Sequence, residues 1–193
     1  VLMLSLKSPS AEVRLAAVDA LPALLPPQQQ VEVLGPMLSD SLQAVRMNTA
    51  FTLASLPREQ LGRYSNSWQQ AIKEYEEAQL TLADRAEANL NLAMLYQSLG
   101  RNSEVEPALR AAIARDRNFL PAQVTLAQWL ESQGDAEAGL ALLTDSVKAH
   151  PQGALLQHAL GLALIRRGLR EEALQAFTKA VALEPDNGQY AYV

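Results

Sequence analysis

The sequence contains no cysteine. Disulfides, thiolate metal sites, iron–sulfur clusters and haem attachment through CxxCH are therefore excluded within these residues. Aromatic residues are scarce, at 5%. The chain is instead rich in Ala and Leu, which favours packed helices over sheet. Positive charge is in short supply as well: 16 Lys and Arg stand against 21 Asp and Glu, for a net charge of −5. A sequence-independent grip on phosphate backbones needs a basic surface, so nucleic acid is not an expected partner. No apolar run is long enough to span a bilayer, and no stretch reads as a signal peptide, so membrane insertion is not expected. Glycine-rich phosphate loops, GxSxG elbows and HExxH pairs are all missing. The chain opens on Val1 and stops in mid-pattern at Tyr190-Ala191-Tyr192-Val193. It is expected to be a fragment of a longer protein.

What the sequence has is repetition, the signature that decides a fold most directly. In the first half, Ala11-Glu12-Val13-Arg14-Leu15-Ala16-Ala17-Val18-Asp19-Ala20-Leu21 returns as Leu42-Gln43-Ala44-Val45-Arg46-Met47-Asn48-Thr49-Ala50-Phe51-Thr52-Leu53, at an offset of roughly thirty residues. Each copy has a polar start, a Val-Arg pair and apolar residues at helical spacing. Val13, Ala16, Ala17, Ala20 and Leu21 are expected on one stripe. A shorter apolar helix is expected before each copy, over Val1–Lys7 and Val31–Leu38. Ser8-Pro9 offers an N-cap followed by Pro at the first helical position. Asp40 with Gln43 is similar to a capping box, and Pro26-Pro27 breaks the chain between the copies. On the short turns Ser8–Ser10 and Ser39–Ser41, the Val-Arg pairs and the small-residue helices after them, residues 1–57 resemble HEAT-type repeats.

The second half repeats with a period of about 34 residues. Ala154–Asn187 carries Leu160-Gly161, Leu164, Gly168, Ala173, Phe177, Ala180 and Pro185. Leu120–Gly153 places Leu126-Ala127, Leu130, Gly134, Gly139, Leu143, Val147 and Pro151 at the same offsets, and Ala86–Phe119 places Leu92-Ala93, Tyr96, Gly100, Val105, Leu109 and Ala112 there. On these residues, 86–187 resembles three tetratricopeptide repeats. The departures are Arg117 for Pro, Gly139 for Ala, and Pro107 inside the expected second helix, where a late start or a kink is predicted. Small residues at Gly161, Ala173 and Ala180 are expected to let helices approach. Leu164 and Phe177 are expected to fill space toward the next repeat. Gly100, Gly134 and Gly168 are expected to end the first helices in a left-handed conformation.

Residues 58–85 join the halves as a linker and a long capping helix. That helix is predicted over Trp68–Leu82, with Trp68, Ala71, Ile72, Tyr75, Ala78 and Leu82 on one face. Residues 188–193 are expected to begin a further capping helix. The fold class implied by these resemblances is an all-α, right-handed solenoid, with HEAT-like helix pairs followed by tetratricopeptide pairs whose apolar faces are hidden by stacking.

Chemistry-bearing patterns are few. His150 and His158 have no paired ligands, and a surface histidine is the simpler reading of each. Glu74, Glu76 and Glu77 on the Trp68 helix are expected to form a solvated face rather than an acid–base pair. Arg166, Arg167 and Arg170, and also Arg110, Arg115 and Arg117, read as solvated charge, with some pairing to Glu171 and Glu172. No catalytic, metal or cofactor site is expected.

The tetratricopeptide resemblance implies that first helices line a concave groove whose non-core positions meet a ligand. Carried over, those positions are Leu90, Asn91, Met94 and Gln97; Val124, Thr125, Gln128 and Glu131; and His158, Leu162, Ile165 and Arg166. Of the Lys, Arg and Asn by which some family members clamp a C-terminal carboxylate, Asn91 alone fits; the other clamp positions hold Leu90, Thr125 and Ala159, so that mode is not expected. The remaining apolar strip flanked by amides suits an amphipathic or extended peptide, or another domain of the parent protein. The competing reading is that several of these residues pack between repeats. The expected function is a non-enzymatic scaffold for protein or peptide. The order of segments and the Gln189–Val193 ending also resemble the C-terminal region of bacterial multihaem cytochrome c-like proteins. That resemblance implies a structural or docking appendage of an exported, periplasmic parent.

Overall fold

The computed structural model describes residues 2–191, all of whose regular structure is helical. The helices are α1 (Leu2–Ser5), α2 (Ala11–Ala20), α3 (Pro27–Leu34), α4 (Gln43–Thr52), α5 (Ser65–Thr81), α6 (Ala86–Ser98), α7 (Asn102–Arg115), α8 (Leu120–Ser132), α9 (Ala136–Ala149), α10 (Ala154–Arg166), α11 (Arg170–Leu183) and α12 (Gly188–Ala191). Short 3-10 segments follow α2 and α3 and precede α5. The chain divides into two compact units: Val1–Ala83 with Met94–Asn102, and Asp84–Ala93 with Ser103–Val193.

In the first unit, the inward stripe of α2 is Arg14, Ala17, Val18 and Leu21, an i, i+3, i+4, i+7 set. Val13, Ala16 and Ala20, expected on the buried stripe, face solvent. The helix turned away from its apolar-only face because Arg14 points inward at the edge of the core. Its Nε and Nη2 fork the Asp40 carboxylate at 2.7 and 2.9 Å, and its Nη1 donates to the Ser8 carbonyl at 2.8 Å. Arg46 repeats the device: Nε and Nη2 donate to Glu74 Oε2 at 3.0 and 2.9 Å, and Nη1 donates to the Asp40 carbonyl at 2.9 Å. The Arg14 fork holds the Asp40 carboxyl below its ordinary range, with the Leu42 N–H and the nearby Arg charges assisting.

Asp40 is consequently not a helix cap. It accepts the Leu42 N–H at 2.9 Å, and α4 begins three residues later, at Gln43. Ser8 is not a cap either: its Oγ accepts the Ser10 N–H, Ser10 stands at the N-cap, and Pro9 lies outside α2. Pro27 does occupy a first helical position, that of α3, which covers 27–34 instead of the predicted 31–38. The Pro at the second position of the segment Gly35–Ser39 lets the chain tighten into a 3-10 turn. Val1 lies outside the described residues.

Helix α5 starts at Ser65, three residues earlier than predicted, because the chain reverses at Gly62 (φ 49°) and a 3-10 turn feeds directly into it. Trp68 anchors this unit at 2% exposure, and its indole N–H donates to the Ala50 carbonyl at 3.0 Å. It packs with Leu34, Leu53, Leu61, Ala71, Ile72 and Leu95, while Tyr75 stacks on Phe51 at 5.3 Å. Leu82 falls past the helix end and is exposed. Glu74 and Glu76 do not form a solvated face. They are drawn half out of water by Arg46 and Arg101, and only Glu77 of the three stays exposed.

The second unit follows a strict period. Helices α6, α8 and α10 begin at Ala86, Leu120 and Ala154, and α7, α9 and α11 at Asn102, Ala136 and Arg170, so both series advance by 34 residues. First helices are 13 residues long and second helices 14. The turns are alike. Gly134 takes φ 91°, its N–H donates to the Glu131 carbonyl, and the next N–H reaches back to Leu130 at 2.9 Å, closing the helix end. Gly100 and Gly168 repeat this at φ 69° and 77°.

Small residues work as partners. Phe177 lies against Gly161 of its own repeat, where a Cβ would come within 2.5 Å of the ring. It clusters with Leu164, Ala173 and Ala176, and Leu140 of the preceding repeat packs against the group. One repeat earlier the same two positions are Ala127 and Leu143, in one core cluster. Gly139 replaces Ala because a Cβ there would sit 2.7 Å from the Ala127 carbonyl oxygen. Pro107 neither delays nor breaks α7, which runs unbroken from Asn102. The carbonyl it orphans is that of Ser103, and both residues are exposed, so that carbonyl is left where solvent can reach it.

The fourth residue of each first helix is a buried amide: Asn89, Gln123 and Gln157. Gln123 donates to the Arg117 carbonyl and Asn89 to the Arg85 carbonyl, both at 2.7 Å. The amides recur in the sequence every 34 residues, but residue type alone would place them at the surface, so their burial is not legible there.

Candidate functional site

The candidate groove positions of the second unit separate by burial. Val124 is drawn into the core with Ala127, Leu143, Leu156 and Ala159. Leu162 packs half-buried against the Phe177 cluster. Thr125 is half-buried, its hydroxyl donating to the Pro121 carbonyl at 2.9 Å. Leu90 and Asn91 are half-buried on α6. Gln128 is exposed, and so is Ile165, at 46%. On the part of α6 that belongs to the first unit, Met94 is 41% exposed and Gln97 is exposed.

Glu131 and Arg166 are brought together. The Arg166 guanidinium forks the Glu131 carboxylate at 2.7 and 2.6 Å, a bidentate pair that joins α8 to α10. Arg167 pairs with Glu137. Arg166 and Arg167 therefore reach back one repeat, and among the described residues the cluster forms no ion pair with Glu171 or Glu172, where pairing was expected. Gln128, Glu131 and Arg166 line a cleft whose floor is Ala127, Leu140, Ala159 and Ala163. The enclosed space is about 10 Å³, room for a water-sized group at most. This cleft is a seam between repeats, not a ligand cavity.

His158 sits half-buried between the rings of Phe177 and Tyr190, at 5.7 and 4.9 Å. Burial pushes its pKa down and that of the Tyr190 phenol up, the latter with help from the Glu184 charge. Tyr190, on α12, also packs against Ala154 and Ala180. Helix α12 is present where a further helix was expected to begin; Tyr192 and Val193 lie outside the described residues. Among the described residues no group of three or more His, Asp or Glu is placed to hold a metal, and no helix is long and apolar enough to cross a membrane.

Residues 86–119 and 154–187 each match a family model of the tetratricopeptide repeat. Among solved structures, the chain is similar to TTC0263, a thermophilic tetratricopeptide protein of Thermus thermophilus (TM-score 0.54, 16% identity, covering 86% of this chain and 95% of that one). It is similar to YrrB, described as a tetratricopeptide protein with an unusual peptide-binding site (TM-score 0.50, 14% identity, covering 100% and 96%). It is also similar to MamA (TM-score 0.50, 17% identity, covering 86% and 97%). At these identities the likeness is one of fold. No curated protein sequence matches the chain. At residues 86–119 and 154–187 the chain thus carries tetratricopeptide repeats, and it has the all-α helical-repeat fold of these neighbours.

Proposed function

We propose that the chain is a non-catalytic scaffold that holds a peptide or protein segment on the first helices of its tetratricopeptide repeats. The observation that carries this reading is Ile165. It is an apolar side chain, 46% exposed, at the repeat position that Glu131 occupies one period earlier. Core packing does not require it. With exposed Gln128 it leaves an apolar and an amide contact on consecutive first helices, the mixture that suits an extended or amphipathic peptide. The cytochrome-like reading of the parent is tested by looking for CxxCH upstream in its reading frame.

Peptides selected from a random display library on the intact chain test the groove. Binding should fall at least about tenfold in Ile165→Glu and in Gln128→Lys, both surface changes that spare the core. Selected peptides indifferent to both substitutions would place the binding face elsewhere.

A further inference from the structure

The tetratricopeptide unit carries a second recess, lined by other residues than the first-helix positions above. A recess of about 260 Å³ opens over Ile113 and Ala114 near the end of α7, Leu126 of α8 and Leu142 of α9, with Arg110 and Arg117 at its rim. Its floor is apolar. Arg110 holds Glu106 at 2.6 Å, an exposed pair one helical turn away. The Arg117 side chain makes no ion pair or side-chain hydrogen bond among the described residues, and the neighbouring Asp116 carboxylate is turned to the Asn118 N–H at 2.8 Å.

The repeats supply their own control. Thirty-four residues on, the places of Arg110 and Arg117 are taken by Thr144 and Pro151. The backbone turn is the same in both copies. Asp116 and Phe119 N–H donate to the Ala112 and Asp116 carbonyls, as His150 and Gly153 N–H donate to Ser146 and His150. The turn therefore does not require arginine. Proline fits it and would rigidify it. An unpaired cation stands there instead, above apolar side chains, on a chain whose net charge is −5.

We infer that this recess docks an acidic peptide segment of a partner protein, which inserts one large apolar side chain between carboxylates. The apolar side chain removes Ile113, Ala114 and Leu142 from water. The flanking carboxylates meet Arg117 and Arg110 in charge-assisted hydrogen bonds. The volume suits one such side chain and falls short of the roughly 300–1,000 Å³ of small-molecule sites. The floor carries no aromatic ring on which a nucleic-acid base would stack.

The test is fluorescence anisotropy with the intact chain and a labelled, C-terminally amidated heptapeptide that has Leu-Phe flanked on both sides by Glu and Asp. Saturable binding is expected. It should weaken about tenfold or more when Arg110→Thr and Arg117→Pro are combined, a loss of two charge-assisted contacts. These changes take residues the next repeat already uses, so circular dichroism should be unaltered. Ile113→Glu should also abolish binding, whereas the groove variants Ile165→Glu and Gln128→Lys should leave it intact. A peptide with Ser-Ser for Leu-Phe, and one with Lys for every acid, should both fail to bind. Absence of saturation up to about 1 mM overturns the inference. So does unchanged affinity in the double variant, or equal binding of the serine peptide.

Discussion

The two units solve the same packing problem by different means. The first is held by a few large, singular anchors: an indole bonded to a backbone carbonyl, and arginines that fork carboxylates 26 and 28 residues away. The second is held by many small, interchangeable contacts repeated every 34 residues. Singular anchors concentrate stability at single residues. Periodic contacts spread it, and make each position answerable to its partner in the same helix pair.

Substitutions can break or sharpen that contrast. The largest effect is expected from Trp68→Ala, about 3–5 kcal/mol for a buried aromatic, read by urea denaturation; a loss under about 2 kcal/mol would mean that the first unit is not anchored there. Next comes Gly139→Ala. Crowding against the Ala127 carbonyl should outweigh the helix-propensity gain of about 1 kcal/mol and leave a net loss of about 1–2 kcal/mol. A net stabilisation would show that α8 and α9 can part freely. Third, Gly161→Ala and Phe177→Leu should each destabilise, while the double variant, which copies Ala127 and Leu143, should recover at least about 1 kcal/mol of the summed loss. Strict additivity in that cycle would refute the partnership.

The smaller effects are pH dependences of opposite origin. The folded state lowers the Asp40 pKa from its ordinary 3.8, so the stabilisation is complete above that value and is lost as pH falls through the lower folded one. Urea midpoints between about pH 5 and pH 3 should drop more steeply for the natural chain than for Asp40→Asn. His158 is a base whose folded pKa lies below its ordinary 6.5. Its neutral form is favoured in the fold, so stability is complete above 6.5 and declines as pH falls below it. Thermal midpoints from about pH 7.5 to 5.5 should show a shallow decline that His158→Leu abolishes.

The same contrast explains what could be read in advance. The 34-residue period, the left-handed glycines and the helix pairs of 86–187 were legible because local propensity and tertiary packing agree there. In the first unit they disagree. Apolarity alone put Val13, Ala16 and Ala20 inside α2, whereas the ion pair of Arg14 with Asp40 turned the helix about its axis. Ion pairs spanning 25 to 35 residues leave no local trace, so the fates of Glu74, Glu76, Arg166 and Arg167 were hidden. Among the candidate groove positions, residue type gave no way to separate Val124, which the core absorbs, from Ile165, which it does not. The recess at Arg117 did leave a mark, as a departure from the repeat. Its apolar floor comes from three helices and is a tertiary fact.

The fit of Phe177 over Gly161 also limits how such repeats can diverge or be recombined. One helix pair uses a bare backbone and a ring, and its neighbour a methyl and a branched chain. Passing from one to the other by single steps means traversing either a collision or a void. Consensus averaging, which picks each column separately, can land on alanine beneath phenylalanine and design the collision in. The heritable unit here is the couple, and chimaeras should be cut between helix pairs, never within one.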